Sequence, residues 1–258
     1  ESLKHLLAAA DKPKWKDRAF PLGGIFSDGR QRQDEKVLDP RDDASVQIDF
    51  RLLPPDDRKG STWRERTKES GFQDRMVWVC GDTTAIDQKV RDLARSKGMV
   101  RKYEKIRESL SPAKKMLLQS EEIRQEELES EVRTAVAASW KSGKFYFQGE
   151  QFEAKEHGSF ATAVTKTGMT ILSTLFPHFD ATTIVPSELA QLLEKELNGP
   201  SVKFMDDHLG ILELDSGRYV PACSGVVPRR VQEYIENEDG VGGGSLLQHF
   251  GRPPYGYR

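Results

Sequence analysis

The sequence has few cysteines and no long apolar run. Its two cysteines, Cys80 and Cys223, are too few for a disulfide framework, so we expect reduced thiols. The longest uncharged stretches are far shorter than the roughly 18 apolar residues of a membrane span. Residues 1–10 also lack the basic start and apolar core of a secretory signal. These absences predict a cytoplasmic protein without a membrane segment.

Apolar residues are scarce, and neither sign of charge dominates. Hydrophobic residues make up 36% of the 258 residues and charged residues 31%, with a mean hydropathy of −0.63. Typical soluble proteins have about 45–50% and about 25%, so we expect small modules joined by charged helices and loops. The net charge is +1 over residues 1–75, +2 over residues 76–178 and −5 over residues 179–258. None of these segments has the basic excess on which binding to nucleic-acid phosphates depends.

The usual motifs of catalysis and cofactor binding are missing. A Walker A loop needs GxxxxGK[ST] between a strand and a helix, whereas Gly143-Lys144 is followed by a phenylalanine and a predicted strand. The glycine-rich residues 240–245 follow an acidic helix, which would repel phosphate. None of the five histidines has another His or Cys at metal-ligand spacing, and there is no GxSxG. We therefore expect no catalytic, cofactor-binding or metal-binding residue in this sequence.

The first fifty residues give weak signals. A short amphipathic helix is expected over residues 2–10, a loop over residues 20–24 and a charged, mobile segment over residues 30–43. Residues 46–52 alternate apolar and polar side chains, which predicts a half-buried strand.

Residues 75–98 have the pattern of an α/β unit. Residues 76–80 are a continuous run of strand-favouring side chains, typical of a strand covered on both faces. The helix that follows has one apolar stripe for packing on a sheet, formed by Ile86, Val90 and Leu93. Gly98 stands where a residue that ends a helix is expected. With the loops before it, this unit predicts a first domain over residues 1–110.

The middle of the sequence predicts a long helix. Ser111-Pro112 is a favourable start, with the serine hydroxyl as the cap, and no Gly or Pro follows before Gly143. The resulting helix of about 30 residues has a solvated charged face and suits self-association as half of a coiled coil. A hairpin turning at Gly149-Glu150 and a helix over residues 159–176 complete a second predicted domain, residues 111–178.

Residues 179–258 follow the element order of a winged helix. A helix over residues 187–197, a recognition helix over residues 202–207 and a hairpin over residues 211–220 are expected. A second unit of this kind is expected to begin at residue 228. The basic residues available for DNA contacts are Lys203, Arg218, Arg229 and Arg230. Because this third domain has a net charge of −5, the sequence favours a winged helix that contacts protein over one that reads DNA.

Three stretches together resemble one protein family. They are GPSVKFMDDHLGILEL at residues 199–214, YVPACSGVVP at residues 219–228 and FGRPPYGY at residues 250–257. They are similar to the later part of the large P-loop ATPase of BREX-type bacteriophage-exclusion systems, called BrxC or PglY. The strand over residues 76–80, its helix and the long Glu-rich helix are similar as well, so the resemblance extends over residues 46–258. Family members often have Trp where Tyr257 stands.

The resemblance implies cytoplasmic antiviral defence by a complex. Its other components would include a site-specific adenine methyltransferase and an alkaline-phosphatase-like protein. ATP and magnesium would bind to a P-loop elsewhere in the polypeptide, because this sequence departs from the family by lacking a Walker A match, and no catalytic residue is carried over. The missing initiator Met and the unfinished motif at residues 253–258 lead us to expect a piece of a longer chain.

Three functional hypotheses follow. The first is a non-catalytic assembly or regulatory region of a BREX ATPase, and the second is a winged-helix DNA-binding module. The third is a free-standing structural protein that self-associates through the long helix. All three share one expected fold class, mixed α+β, with a strand–helix α/β piece, a long charged helix and winged-helix-like C-terminal modules.

Overall fold

The computed structural model describes residues 7–27, 36–39, 46–53, 55–193, 197 and 199–257. It confirms the mixed α+β class. The chain forms two compact units, the first made of residues 1–13, 20–41 and 45–172, and the second of residues 14–19, 42–44 and 173–258. The predicted domain boundary between residues 110 and 111 falls inside the first unit.

The described strands and helices have the following bounds. The strands are β1 Lys14–Trp15, β2 Arg18–Ala19, β3 Leu22–Ser27, β4 Lys36–Asp39, β5 Val46–Arg51, β6 Arg75–Val79, β7 Lys144–Phe147, β8 Glu150–Glu153, β9 Leu212–Asp215 and β10 Arg218–Pro221. The helices are α1 Gly60–Arg66, α2 Thr84–Glu104, α3 Pro112–Ser142, α4 Phe160–Leu175, α5 Pro186–Gln191, α6 Val226–Asn237 and α7 Gly243–Gly251.

A six-stranded mixed sheet forms the centre of the first unit. Its order is β4-β3-β5-β6-β7-β8, with β3, β5 and β6 parallel and the other neighbours antiparallel. The strand predicted over residues 76–80 is confirmed as β6. The strand predicted over residues 46–52 is confirmed as β5, but the expectation of half burial is wrong, because β5 lies between two parallel neighbours and even Asp49 is buried.

The two faces of this sheet have different cores. Successive side chains of a strand point to opposite faces, so Phe50 and Trp78 share one face, where they meet Trp140 at the end of α3 and Phe160 at the start of α4. The Trp78 and Trp140 ring centroids are 4.2 Å apart. The opposite face holds a second buried cluster, formed by Leu53, Trp63, Val77, Val79 and Tyr146.

Residues 20–43 depart from the sequence analysis. The loop expected over residues 20–24 is wrong, because β3 begins at Leu22 and runs parallel to β5. Within the segment expected to be mobile, residues 36–39 form β4, and residues 30–35 and 40–43 lie outside the described part of the chain. The helix expected over residues 2–10 also lies mostly outside it, with only residues 7–8 described as helical.

Helices α2 and α3 form an antiparallel hairpin, which we call the arm. The two helices pack on each other, so the expectation that α2 packs on the sheet is wrong. Gly98 does not end α2, which continues to Glu104. Helix α3 confirms the predicted start at Pro112 and end before Gly143, but the hydroxyl of Ser111 makes no capping hydrogen bond.

The elements that follow the arm in the chain, a hairpin and a helix, were largely predicted from the sequence. The β7–β8 hairpin is confirmed, although its turn lies at Gln148-Gly149, one residue earlier than expected, where both residues have positive φ. Helix α4 confirms the helix predicted over residues 159–176. Its apolar stripe is buried, with Phe160, Val164, Ile171, Leu172 and Leu175.

The second unit only partly follows a winged helix. Its β9–β10 hairpin is confirmed, but the predicted recognition helix is a single 3-10 turn over Val202–Met205. The regular part of the helix before it ends at Gln191 instead of residue 197. Phe204, at the centre of the 3-10 turn, is buried with Leu209 and Leu212. A single 3-10 turn is too short to present a recognition surface, and its Phe204 side chain belongs to this small core.

The last residues pack against α6 and α7. The rings of Tyr234 and His249 stack with centroids 3.9 Å apart, and Phe250 stacks with Tyr257 at 5.8 Å. The Tyr257 amide donates to the carbonyl of Phe250. Phe250 and Tyr257 of the FGRPPYGY stretch therefore pack together beside this C-terminal helix pair.

Candidate functional site

The end of the arm away from the sheet exposes several large apolar side chains. We call this region, residues 99–117, the arm tip; it holds the last turns of α2, the connection and the first turns of α3. Met116 and Leu117 have 71% and 70% of their surface exposed. The other exposed apolar residues of the tip are Met99, Tyr103 and Ile106. Grouped apolar side chains on a surface typically mark an interaction site.

The sequence places these side chains outside because the arm uses other residues as its seam. Leu118, next to Leu117, is 5% exposed, and Ser96 of α2 is buried. Ion pairs cross the seam, including Lys97–Glu129 at 2.8 Å and Lys89–Glu131. The Lys97 ammonium lowers the pKa of Glu129. The seam therefore does not include Met116 or Leu117, whose side chains stay largely exposed.

The arm tip is also strongly basic. It contains six Lys or Arg residues and two Glu residues, a net charge of +4. Arg107 is paired with Glu104 and Glu122, which raise its pKa, and Lys115 is 3.9 Å from Glu108. Within the described residues, four cations of the tip form no ion pair: Arg101, Lys102, Lys105 and Lys114. The tip can thus offer both apolar surface and positive charge to a partner.

A charged pocket lies at the carboxyl end of β5. It has a volume of about 300 Å³. Arg51 lines it and is paired with the buried Asp49 at 2.6 Å. The Arg66 guanidinium lies 5.2 Å from the Trp63 ring centroid on its wall. Crevices at the carboxyl ends of parallel strands are common ligand sites, but this pocket is lined by both acidic and basic side chains and so has no clear preference for one ligand charge.

The four predicted DNA contacts lie on three elements of the second unit. Arg218 in β10 and Arg229 in α6 are exposed. Arg230 donates to the Tyr257 hydroxyl at 2.9 Å. Lys203 is paired with Glu188 at 2.9 Å and donates to the Thr183 carbonyl. Arg229 also donates to the Gly225 carbonyl, at 3.4 Å. Three of the four are therefore engaged within the fold, although Arg229 remains exposed.

Glu188 joins three parts of the second unit by hydrogen bonds, a role that was not predicted from the sequence. Its carboxylate accepts hydrogen bonds from the Val185 amide, the Lys203 ammonium and the Ser201 hydroxyl. These donors lower its pKa to about 2. Lys203 thus helps to fix the start of α5 against the 3-10 turn, a role different from the DNA contact that its charge suggested.

The thiols and histidines show no catalytic arrangement in the described part of the chain. Cys80 is buried beside Leu53, and burial raises the pKa of its thiol, which disfavours the reactive thiolate. His208 is paired with Asp180 at 3.1 Å. No group of three or more His, Cys, Asp or Glu side chains within the described ranges could hold a metal ion.

Comparison with known proteins yields no relative. No family model, curated protein or solved structure matches the chain. None of the helices in the described residues is both long and apolar enough to cross a membrane.

The sequence analysis missed the arm tip as a site. The charges of the long helix were interpreted as a solvated face. The available signal was local: residues 99–117 have a net charge of +4 whereas residues 119–131 have −5. Only the pairing of α2 with α3 shows that the two ends of the basic segment lie together.

Proposed function

We propose that these residues form a non-catalytic docking region of an ATPase of BREX-type bacteriophage-exclusion systems, and that the arm tip holds a protein partner. The observation that carries the docking role is the exposure of Met116 and Leu117 beside the buried Leu118. The resemblance of residues 199–257 supports the family, and with it ATP and magnesium binding outside these residues.

Apolar exposure at the end of a long helical arm is costly unless a partner covers it. Burying a side chain such as Leu or Met contributes about 1.5–3 kcal/mol. Two such residues, with Tyr103 and Ile106 near them in the hairpin, can supply the apolar centre of a modest interface. The four cations without ion pairs would form its polar rim. An adenine methyltransferase and an alkaline-phosphatase-like protein are the partner classes that the resemblance suggests.

A co-purification experiment tests the docking role. The full polypeptide is tagged in cells that carry the complete defence system, and Met116→Glu/Leu117→Glu is compared with wild type. Loss of other components from the purified complex is expected, because two carboxylates would have to be buried at the interface. Leu247→Glu, on α7 and 73% exposed, is the matched control and should keep them. Unchanged recovery with the arm-tip variant would contradict docking of another defence component at the tip.

DNA binding is the second candidate function, and the exposure of Arg218 and Arg229 favours it. It predicts duplex affinity that falls steeply with salt and weakens in Arg218→Ala/Arg229→Ala, measured by fluorescence anisotropy. Lys203→Ala should then lower stability more than affinity, because Lys203 is paired with Glu188. No binding at low salt would remove this candidate.

A further inference from the structure

We propose that the partner of the arm tip is a second copy of this chain, with each tip docked on the acidic middle of the other arm. This inference rests on the proposed docking role of the tip and names its partner. It is argued from the distribution of charge and apolar surface along α3.

The acidic middle of the arm is residues 119–131, with a net charge of −5. Glu122, Glu129 and Glu131 are paired with cations of the same arm. Glu126 and Glu127 are exposed and form no ion pair within the described residues. They are thus available to a partner cation.

An exposed apolar residue accompanies these two carboxylates. Ile123 is 54% exposed and lies three and four residues before them, on the same face of α3. Met116 lies seven residues before Ile123 and continues this face toward the tip. One surface of α3 therefore carries two apolar side chains, two turns apart with Gln119 and Ser120 between them. Carboxylates lie at one end of this surface and the basic tip at the other.

This arrangement is complementary to itself. The rise of 1.5 Å per residue puts Glu126 about 21 Å from Pro112 along α3. Two arms laid antiparallel with their ends overlapping would set each basic tip against the other arm's Glu126 and Glu127. A two-fold axis makes the two contacts identical, so every ion pair occurs twice. The Met116 and Ile123 side chains would then lie between the two helices.

The charge pattern favours a second copy over nucleic acid. A phosphate backbone following the arm from its tip would meet Glu126 and Glu127 and be repelled by them. A second arm, in contrast, can pair its acidic middle with the basic tip and its own tip with the acidic middle. Nucleic acid at the tip is therefore an outcome that would contradict the inference.

Sedimentation equilibrium of charge-reversed variants tests the inference. Wild type is compared with Lys102→Glu/Lys105→Glu and with Glu126→Lys/Glu127→Lys, each at several concentrations and two salt concentrations. Wild type should dimerise, more weakly at high salt, and each variant alone should dimerise about tenfold or more weakly, because each substituted side chain then faces groups of its own sign. An equimolar mixture of the two variants should regain the dimer, since one contact then joins the two sets of substituted side chains, which have opposite charges, and the other is the wild-type contact.

The control separates this inference from the docking role itself. Arg218→Glu/Arg229→Glu makes the same change of charge in the second unit and should leave the dimer intact. A wild-type monomer at all concentrations, or a mixture of variants that stays monomeric, would overturn the inference. If the chain is monomeric while Met116→Glu/Leu117→Glu still loses defence components, only the second-copy partner is wrong. If neither effect is seen, the docking role falls too.

Discussion

Two glycines of similar sequence context have opposite surroundings in the fold. Gly143 ends α3 beside the buried Trp78, and a Cβ there would overlap the Trp78 ring. Gly98 lies inside α2, where a Cβ would meet nothing within 4 Å. The first glycine is required for close packing, whereas the second only weakens its helix.

The two alanine variants should therefore change stability in opposite directions. Gly143→Ala should lower the free energy of unfolding by about 1–3 kcal/mol, because it overpacks the aromatic core. Gly98→Ala should raise it by about 0.4–1 kcal/mol, because alanine favours the helix and reduces the freedom of the unfolded chain. Urea unfolding measures both, and equal effects of the two variants would contradict the packing described around Trp78.

Glu188 should make stability depend on pH in the acidic range. Its pKa is about 2 in the folded protein against an ordinary 4.5, so its contribution is complete above about pH 4.5 and is lost as pH falls toward 2. The stability advantage of wild type over Glu188→Gln should therefore shrink over this range in denaturant unfolding. Glu213→Gln, an exposed position in β9, is the control. An advantage that stays constant down to pH 2.5 would contradict the hydrogen bonds described for Glu188.

At the scale of elements, two adjacent leucines of α3 have different surroundings: Leu118 is buried in the α2–α3 seam, whereas Leu117 is largely exposed. Leu118→Ala should cost about 2–5 kcal/mol, because it leaves a cavity in the α2–α3 seam. Leu117→Ala should change stability by about 0.5 kcal/mol or less in dilute protein, since Leu117 is largely exposed. Thermal unfolding followed by circular dichroism measures both variants. A larger loss for Leu117→Ala would mean that the seam is assigned to the wrong face of α3.

The elements that were predicted well from the sequence have residues at their ends that mark where a helix or strand begins and stops. Helix α3 is bounded by Pro112 and Gly143, and β6 is a compact apolar run, so local chemistry alone gave their positions. The end of α2 was predicted wrongly because Gly98 was expected to end the helix. Glycine ends a helix only where nothing else stabilises the turns beyond it. In the arm, packing against α3 supports the helix beyond it.

Other elements depend on contacts that no local pattern contains. Residues 20–24 contain a proline and two glycines, yet β3 forms because β4 and β5 pair with both its edges. A Cβ at Gly23 would overlap the Gln47 side chain, so the glycine allows this close approach. The recognition helix was predicted from element order, but Phe204 is drawn into a small core that ends the turn. The arm tip likewise exists only once α2 and α3 are paired.

At the scale of the whole molecule, the small net charge conceals separated charges. The net of −2 includes +4 at the arm tip, −5 in the arm's acidic middle and −5 over residues 179–258. Interactions between such segments are screened by salt. Self-association and partner binding should therefore both weaken with ionic strength, while the aromatic core around Trp78 should not be affected.

Amide hydrogen exchange tests the central claim, docking by the arm tip, most directly. The connection between α2 and α3, residues 105–111, is largely exposed, so its amides should exchange rapidly in dilute protein. In the complex purified from cells, or at concentrations where a dimer forms, exchange at residues 99–117 should slow while α7 stays unchanged. An unprotected arm tip in a complex that is protected elsewhere would contradict the account.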